Sequence, residues 1–551
     1  MADSANTVSI SSRLIGRLFD LPPAETYDIA IERDVKVPMP DGVVLLADHY
    51  YPRQGKPPTI LIRSPYGRRS MFGLMFGRPF AERGFQVFIQ SCRGTFGSGG
   101  TLDPFHQERA DGLATVEWLE KQDWFSGELA TFGQSYLGFV QWAIAKEAGS
   151  VLKAMATWVT SAEFRTVTYP GESLWLESCF GWTNQMMSQE GSPLSVLMFL
   201  LMGDKKIKPA YWHLPLIEVD EKVLGRPVQF WREWLEHNEP GDEWWARSDF
   251  SGTVSHVTAP DHMGGGWYDV FLPQTIRDYH ALVRAGRQPY LTIGPWTHMD
   301  QRYMGVSVKE ALAWFRAHLL GDRSGLRETP VRIFVMGANE WRGLPEWPPA
   351  NSKPQRWYLH PGRILAPETP PESEPDRYRY DPADPTPGVG GAAMSVNSGP
   401  KDQRALEARP DVLIYTSAVL DRNLEVIGPV QAELFVQSSL EHTDFFARLC
   451  DVDASGKSIN ICDALVRLVP GRPPRESDGA LCVRIDLWPT AYRFKRGHRI
   501  RVQVSSGAHP RWARNPGSGE PLATAQTLCA SDQTVFHDPA HPSAIILPVQ
   551  T

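Results

Sequence analysis

Cysteine is scarce in this 551-residue chain, and its few cysteines form no recognisable motif. The six are scattered along the sequence, and no two of them stand in a C-x-x-C pair. This spacing excludes a cysteine-rich zinc site and a thioredoxin-type redox motif. We expect all six to be reduced and to pack as small hydrophobic side chains: Cys92, Cys179, Cys450, Cys462, Cys482 and Cys529.

Basic charge is also in short supply. The chain has 56 Lys and Arg against 63 Asp and Glu, a net charge of −7, and no basic run long enough to follow a phosphate backbone. Nucleic acid is therefore not expected as a partner. The composition is otherwise ordinary, 42% hydrophobic and 22% charged, which excludes long disorder. The length predicts about two to four domains.

Long apolar runs are missing as well. The longest, Val196 to Met202, is far shorter than the roughly 20 residues that span a bilayer. Near the N-terminus, Ser12, Arg13 and Arg17 stand where a secretory signal would need an apolar stretch. We therefore expect a cytoplasmic protein that does not bind membranes.

What the sequence does contain is an alternation of short apolar runs with amphipathic stretches. Such a pattern predicts a parallel sheet wrapped by helices, because parallel strands need crossover connections. We assign this α/β domain to residues 1–160 and 251–355. The predicted strands are Thr59–Ile62, Phe85–Ile89, Leu129–Phe132, Asp261–Gly266 and Pro289–Gly294, and the predicted helices are Arg109–Glu120, Leu137–Gly149 and Thr275–Ala285.

Residues 161–250 interrupt this alternation and read as an inserted helical cap. Seven of the nineteen tryptophans fall here, namely Trp175, Trp182, Trp212, Trp231, Trp234, Trp244 and Trp245. The excess indicates an aromatic-rich binding surface. It is equally typical of a small helical unit that needs large side chains to build a core.

The C-terminal third has a different pattern. Pro361–Arg404 is rich in proline and glycine and reads as a linker or a long surface connection. Beyond it, apolar and polar residues alternate with a period of two, as in Val430–Val436 and Ile500–Val504. Several such runs predict an antiparallel sandwich of the jelly-roll type over residues 356–551.

The strongest local motif is Gly133-Gln134-Ser135-Tyr136-Leu137-Gly138. It joins the predicted strand Leu129–Phe132 to a helix, the setting that exposes a nucleophilic serine on a sharp turn. The match to G-x-S-x-G is imperfect, because Leu137 stands where the second glycine is expected. Taken alone, a glycine-bounded turn explains the motif as well as a nucleophile does.

A serine nucleophile needs a base, and the base needs an orienting acid. Asp269 and His298 follow later predicted strands in the order acid, then histidine, which α/β-hydrolases use. The 29 residues between them leave room for one helix and one strand. With fifteen histidines in the chain, any single one is more often structural. His262, within a predicted strand, is an alternative proton acceptor or simply a strand-start residue at the solvent edge.

The chain resembles the CocE/NonD family of serine hydrolases, which is related to the X-Pro dipeptidyl-peptidases and the α-amino acid ester hydrolases. The motifs that carry the resemblance run nearly end to end: Val37–Gly42, Arg63–Tyr66, Gln90–Gly94, Gly133–Gly138, Gly265–Asp269, Gly294–His298, Val331–Trp341, Thr443–Leu449 and His498–Ser506. The resemblance implies an α/β-hydrolase domain with a helical cap and a C-terminal jelly roll.

The resemblance also implies a role for each site residue. Ser135 would be the nucleophile, His298 the general base and Asp269 its orienting acid. The oxyanion hole would use the Tyr66 hydroxyl and the backbone N–H of Tyr136. No His-Gly-Gly loop is present to supply amides instead, so a side-chain donor is chemically reasonable.

These roles predict hydrolysis of a small-molecule carboxylic ester, or of an amide, through an acyl-enzyme. For binding a bulky apolar or aromatic acyl group we nominate four aromatic residues, Trp175, Trp182, Trp267 and Phe271. The alternative enzyme is an X-Pro dipeptidyl-peptidase-like or acylase-type amide hydrolase. It would bind a substrate ammonium with carboxylates, for which the candidates in the cap are Glu163, Glu172 and Glu177.

A third alternative is a binding protein on an inert hydrolase fold. We expect no cofactor and no metal. Asp451–Gly456 begins like a calcium loop, but Cys462 replaces the final glutamate and a hairpin turn is the simpler interpretation. Gly264–Gly266 lacks the G-K-[ST] ending of a phosphate-binding loop. The sequence leaves a homo-oligomer open.

Overall fold

The computed structural model describes residues 10–190, 207–474, 476 and 478–551. The apolar run Val196 to Met202, which falls within the predicted cap, lies outside these residues. Across the described ranges, the helices are all too short or too polar to cross a bilayer.

A ten-stranded sheet forms the first half of the molecule, in the order β1-β2-β4-β3-β5-β6-β7-β8-β9-β10. Strands β3 to β9 pair in parallel, whereas β1, β2 and β10 are antiparallel to their neighbours. The strands are β1 (Ile29–Pro38), β2 (Val44–Pro52), β3 (Thr59–Ser64), β4 (Gln86–Ser91), β5 (Leu129–Gln134), β6 (Leu152–Trp158), β7 (Asp261–Tyr268), β8 (Tyr290–Thr297), β9 (Val331–Val335) and β10 (Glu340–Leu344).

Every residue of β3, β4, β5 and β7 is buried, as expected for parallel strands that helices cover on both faces. The α-helices of the described chain are α1 (Ile10–Leu18), α2 (Arg78–Ala81), α3 (Glu108–Glu120), α4 (Tyr136–Ala145), α5 (Arg165–Thr168), α6 (Leu176–Ser188), α7 (Val219–Leu224), α8 (Gln229–Glu236), α9 (Leu272–Arg284), α10 (Arg302–Leu319) and α11 (Arg404–Glu407). The parallel sheet predicted from the alternation and the α/β-hydrolase fold implied by the resemblance are both confirmed, and each predicted strand and helix is present with small shifts at its ends.

The region between β6 and β7 is helical where it is described. Besides α5 to α8 it has short 3₁₀ helices at Pro170–Glu172, Leu216–Glu218, Glu243–Ser248 and Ser251–His256. Most of its tryptophans serve as core, since Trp175, Trp182, Trp231, Trp234 and Trp245 are all at most 8% exposed. The exceptions are Trp212, which is 49% exposed, and Trp244, which is half-buried.

Where it is described, the C-terminal region is all-β apart from the single turn of α11, and its main pairings are antiparallel, as predicted. The strands follow the order β13-β20-β15-β21-β11-β12-β14-β19-β16-β17, and β18 pairs with β15. They are β11 (Ser352–His360), β12 (Ile364–Ala366), β13 (Asp376–Tyr380), β14 (Leu413–Ser417), β15 (Leu424–Ser438), β16 (Thr443–Val452), β17 (Ser458–Leu468), β18 (Leu481–Phe494), β19 (Arg499–Ser505), β20 (Ser531–Phe536) and β21 (Ala544–Gln550). Its jelly-roll form stays a prediction.

Of two sequence interpretations in this region, the structure contradicts one and confirms the other. The linker interpretation of Pro361–Arg404 is wrong, because β12 and β13 both belong to the second sheet. These strands are only three and five residues long, too short for a period of two to stand out between prolines. The hairpin interpretation of Asp451–Gly456 is confirmed, since the segment joins the antiparallel pair β16 and β17.

The cap meets the C-terminal sheet at a tight glycine turn. Gly171 has φ of +65°, and a Cβ at this position would collide with the Leu465 carbonyl of β17. The neighbouring Pro170 carbonyl accepts a hydrogen bond of 3.1 Å from the Trp512 indole. Only glycine therefore allows this approach of the cap to the sheet.

We expect Gly171→Ala to lower the free energy of unfolding by about 1–3 kcal/mol more than Gly241→Ala, because only the first adds an overpacked contact. Gly241 is a matched control: it lies in the same region with φ of +80° and has no neighbour within 4 Å of an added Cβ. Thermal unfolding of the two variants measures the difference. Equal shifts in midpoint would contradict the assignment of a tight contact at Gly171.

Candidate active site

Ser135 occupies the turn between β5 and α4. Its backbone has φ of 56° and ψ of −124°, a conformation that residues other than glycine rarely adopt. The Ser135 N–H donates to the Trp158 carbonyl at 2.9 Å, and the Thr160 hydroxyl donates to the Ser135 carbonyl at 2.7 Å. These bonds from the neighbouring strand hold a strained residue in place, and strain of this kind concentrates at functional sites.

The glycines around Ser135 are required by space. A Cβ at Gly133 would collide with Leu137, and one at Gly138 would lie 2.5 Å from the Thr160 side chain. Because helix α4 passes so close to the segment after β6, the second glycine is needed three residues after the serine. The glycine at position 138 thus has a packing cause.

Ser135, His298 and Asp269 form one hydrogen-bonded chain at the carboxyl ends of β5, β8 and β7. His298 Nε2 lies 3.1 Å from Ser135 Oγ, and its Nδ1 lies 2.7 Å from Asp269 Oδ2. Asp269 is fully buried, and its other oxygen accepts the Phe271 N–H at 2.8 Å. An ionised Asp269 makes Nδ1 the protonated nitrogen, so Nε2 is free to accept the serine proton.

A bulge between β7 and β8 precedes this acid. The pairing register shifts between Gly266 and Tyr268, which re-aims the end of β7. A Cβ at Gly264 or Gly266 would collide with Trp158 or with the Trp296 backbone. The glycine run is therefore a packed strand and not a phosphate-binding loop.

His262, the alternative proton acceptor, lies near the start of β7 and far along the strand from Asp269. It is buried, with Nε2 2.8 Å from Glu310 and 3.2 Å from the Thr292 hydroxyl. Burial lowers its pKa. It is a strand-start residue, as the simpler interpretation holds, but it is buried in a separate polar cluster and does not lie at a solvent edge.

Tyr66 follows β3 and shares a cavity with Ser135. Burial raises the pKa of Tyr66 to about 12, although hydrogen bonding with Trp182 and Ser135 acts in the opposite direction. The phenol is consequently neutral near pH 7 and can donate its proton in a hydrogen bond. The Tyr136 amide begins helix α4, where no earlier turn of helix supplies an acceptor for it.

The Tyr136 side chain is anchored in a buried network that sequence reasoning did not find. Its hydroxyl donates to Glu108 at 2.8 Å and accepts the Phe105 N–H at 3.0 Å. Glu108 in turn pairs with the buried Arg63 at 2.9 Å. No motif marks Glu108, which stands just before the predicted helix Arg109–Glu120.

A cavity of about 490 Å³, its mouth included, lies over Ser135. Its lining is largely aromatic and aliphatic, and it includes three of the four residues nominated for the acyl group. The lining residues are Tyr66, Phe105, Ser135, Tyr136, Phe164, Val167, Thr168, Trp175, Ser178, Cys179, Trp182, Trp234, Val270, Phe271 and Met394.

Trp267 is a correction to the sequence analysis, since it is absent from this lining. Its indole donates to the Phe334 carbonyl at 2.7 Å, and its ring packs against Trp347 at 5.5 Å. Successive residues of a strand point to opposite faces, which directs Trp267 of β7 toward β9 instead of the cavity. The prediction was wrong because it took closeness to Asp269 in the sequence as closeness to the cavity.

The cap carboxylates also lie outside the lining. Glu163 bonds to Thr166 and pairs with Arg277 at 2.7 Å, and Glu172 pairs with Arg165 at 2.6 Å. Glu177 does not line the cavity either. No acidic side chain is therefore among the described residues that face the cavity.

Several lining residues escaped the sequence analysis. Phe105 and Phe164 stack with ring centroids 3.6 Å apart, and Met394 reaches the cavity from the loop after β13. The Met394 N–H is held by the Ser178 hydroxyl at 3.3 Å. An apolar residue in a loop gives no signal for such a role, because only the docking of the C-terminal region brings it there.

The chemistry available here is acyl transfer. A hydroxyl, an imidazole and a buried carboxylate are linked in order, beside a neutral phenol and a free helix-start amide. No cluster of three or more His, Cys, Asp or Glu in the described ranges has the arrangement to hold a metal ion.

Two family models match the chain. Residues 41–300 match the X-Pro dipeptidyl-peptidase (S15 family) model, and residues 325–546 match the X-Pro dipeptidyl-peptidase C-terminal non-catalytic domain.

Whole-length relatives agree with these matches. The chain is 34% identical to the cocaine esterase of Rhodococcus sp. (strain MB1 Bresler), over 94% of this chain and 98% of the relative. An α-amino acid ester hydrolase structure is similar with a TM-score of 0.80 and 21% identity, over 99% of this chain and all of the other. An aminopeptidase from a marine sediment Thaumarchaeota archaeon has the same fold, with a TM-score of 0.80 and 21% identity over 96% of this chain and 98% of its own.

Three observations agree on the family of this chain: the motifs along its sequence, its fold, and its 34% identity to a relative over nearly the whole of both chains. This chain belongs to the CocE/NonD family of serine hydrolases.

Proposed function

We propose that this serine hydrolase is an esterase that works through an acyl-enzyme. Ser135 Oγ attacks the ester carbonyl while His298 Nε2 takes its proton and then gives it to the leaving alcohol. Asp269 holds the imidazole and stabilises its protonated form, and the oxyanion receives hydrogen bonds from the Tyr66 hydroxyl and the Tyr136 N–H. Water activated by His298 then hydrolyses the acyl-enzyme. The single observation that supports this catalytic triad is the hydrogen-bonded chain from Ser135 through His298 to Asp269.

We propose that the substrate carries a bulky apolar or aromatic acyl group. Trp175, Trp182 and Phe271 line the cavity over Ser135, and no charged side chain of the described residues faces it. A charged acyl group would lose its hydration there without gaining a partner. The esterase relative supports an ester substrate for this chain as well.

The second candidate is an X-Pro dipeptidyl-peptidase-like or acylase-type amide hydrolase. The S15 family model over residues 41–300 favours it, and the same acyl transfer cleaves amides. The pairing of Glu163 and Glu172 with arginines argues against recognition of a substrate ammonium. An inert binding protein is a weaker alternative, because its fold would not need a linked serine, histidine and aspartate.

We further propose a cytoplasmic location and a small-molecule ester as the partner. All six cysteines are free, which supports a reducing compartment. We also propose the division into a hydrolase domain (1–160 and 251–355), a cap (161–250) and a β domain (356–551).

Ser135→Ala should lower kcat by about three to six orders of magnitude, because the nucleophile is lost while binding remains. It should also abolish labelling by a fluorophosphonate probe. Ser255→Ala, at an exposed position just after the cap, is the control and should keep both activity and labelling. Labelled, active Ser135→Ala protein would refute the nucleophile assignment, and an unlabelled wild-type chain would favour the inert fold.

Tyr66→Phe should lower kcat by about 10²–10³, the usual cost of one oxyanion donor, with little change in KM. Tyr290→Phe is the control: it removes a phenol hydroxyl at the start of β8, the end of that strand far from His298, and should leave kcat unchanged. Steady-state kinetics on p-nitrophenyl benzoate measure both. A Tyr66→Phe variant with the wild-type kcat is the result that this role does not allow.

Acyl preference distinguishes the two enzyme candidates. We expect kcat/KM for p-nitrophenyl benzoate to exceed that for p-nitrophenyl acetate by about tenfold or more, since apolar contacts of the larger group are gained in the cavity. An X-Pro p-nitroanilide should be cleaved far more slowly than the benzoate. A higher kcat/KM for the anilide would instead establish the peptidase candidate.

A further inference from the structure

Helix α6 of the cap contacts the turn that carries Tyr66 at two points. The Trp182 indole donates to the Tyr66 hydroxyl oxygen at 2.9 Å. Just beyond the helix end, the Gln189 amide donates to the Pro65 carbonyl at 2.8 Å. The proposed oxyanion donor is therefore held by the cap as well as by the strand that precedes it.

The chemistry of the indole decides what its bond does to the phenol. A tyrosine hydroxyl has one proton to donate and lone pairs that accept, whereas the indole N–H can only donate. With Trp182 on a lone pair, the Tyr66 proton has to go to another acceptor. An acceptor side chain at position 182 would compete with the oxyanion for this proton, and the indole cannot.

The direction of the Trp182 N–H is fixed by packing. Its ring stacks on Tyr136 at 6.1 Å and 8°, on Phe105 at 5.6 Å and on Trp234 at 5.9 Å. Only 8% of the residue is exposed. A ring held between three aromatic neighbours gives its donor little angular freedom, and a donated bond also polarises the phenol and strengthens its own donation.

We propose that Trp182 is a positioning residue for the oxyanion hole: its indole N–H orients the Tyr66 hydroxyl toward the reacting carbonyl, so that docking of helix α6 completes the site. This inference rests on the proposed roles of Ser135 and Tyr66. It assigns Trp182 a second task besides forming an apolar wall, and it gives Gln189 the task of holding the Pro65 carbonyl.

The test is a double-mutant cycle on p-nitrophenyl benzoate. Trp182→Phe keeps an aromatic ring in the cavity but removes the donor. It should lower kcat about threefold to tenfold, the usual net worth of one hydrogen bond, and change KM less than twofold. In the Tyr66→Phe background the same substitution should have no further effect on kcat, because no hydroxyl remains to be oriented.

Trp245→Phe is the matched control. It removes another buried cap indole that donates a hydrogen bond, here to the His237 carbonyl at 2.8 Å, away from Tyr66. It should leave kcat unchanged. Phenylboronic acid, which forms a tetrahedral serine adduct, should bind Trp182→Phe more weakly by the same factor as the loss in kcat, whereas benzoate should bind equally well.

Three outcomes overturn the inference. The first is wild-type kcat in Trp182→Phe, and the second is an equal loss of kcat in the Tyr66→Phe background. The third is a loss confined to KM, which would leave Trp182 as an apolar wall only. If Tyr66→Phe itself keeps the wild-type kcat, the proposed oxyanion role falls with the inference, whereas loss of activity in Ser135→Ala stands independently.

Gln189→Ala gives a second variant near the surface in case Trp182→Phe folds poorly. It should lower kcat in the wild-type background and have no effect in the Tyr66→Phe background. Equal losses in both backgrounds, or no loss in either, would contradict positioning of Tyr66 by helix α6.

Discussion

The site depends on one constraint, the sharp turn at Ser135 between a parallel strand and its helix. Its positive φ is tolerated because the Trp158 carbonyl and the Thr160 hydroxyl hold the serine backbone and because Gly133 and Gly138 leave room. The turn places the hydroxyl at the carboxyl edge of the sheet. Parallel strands end at one edge, so Asp269 after β7 and His298 after β8 reach the same place.

The cavity above this edge is built by three parts of the chain. Tyr66 and Tyr136 come from the hydrolase region, Trp182 from the cap, and Met394 from the C-terminal region. The mainly apolar lining and the paired carboxylates of the cap both favour a neutral, bulky acyl group. The same cap helix contacts the Tyr66 turn, which connects the substrate cavity to the proposed oxyanion donor.

Much of this could be predicted from local pattern. The hydrophobic period of a strand or a helix is visible within a few consecutive residues. The sequence therefore predicted both the alternation of strands and helices in the hydrolase region and the β-rich C-terminal region. The serine turn, the acid and the histidine follow strand ends in a fixed order, which is why Ser135, Asp269 and His298 could be nominated together. Trp267 was wrongly nominated for the cavity because one residue of difference along a strand reverses the direction of a side chain.

The sequence by itself determined the family, the two kinds of domain and the order of the serine, aspartate and histidine, because each of these is recorded in short local motifs and periods that can be read one at a time along the chain. Tertiary structure alone decided which aromatics face the cavity, that Glu108 anchors Tyr136 and that Trp182 donates to Tyr66. Each of these contacts joins segments far apart in sequence. Their geometry is set by how the cap and the C-terminal sheet pack on the hydrolase core, and no local pattern records that packing.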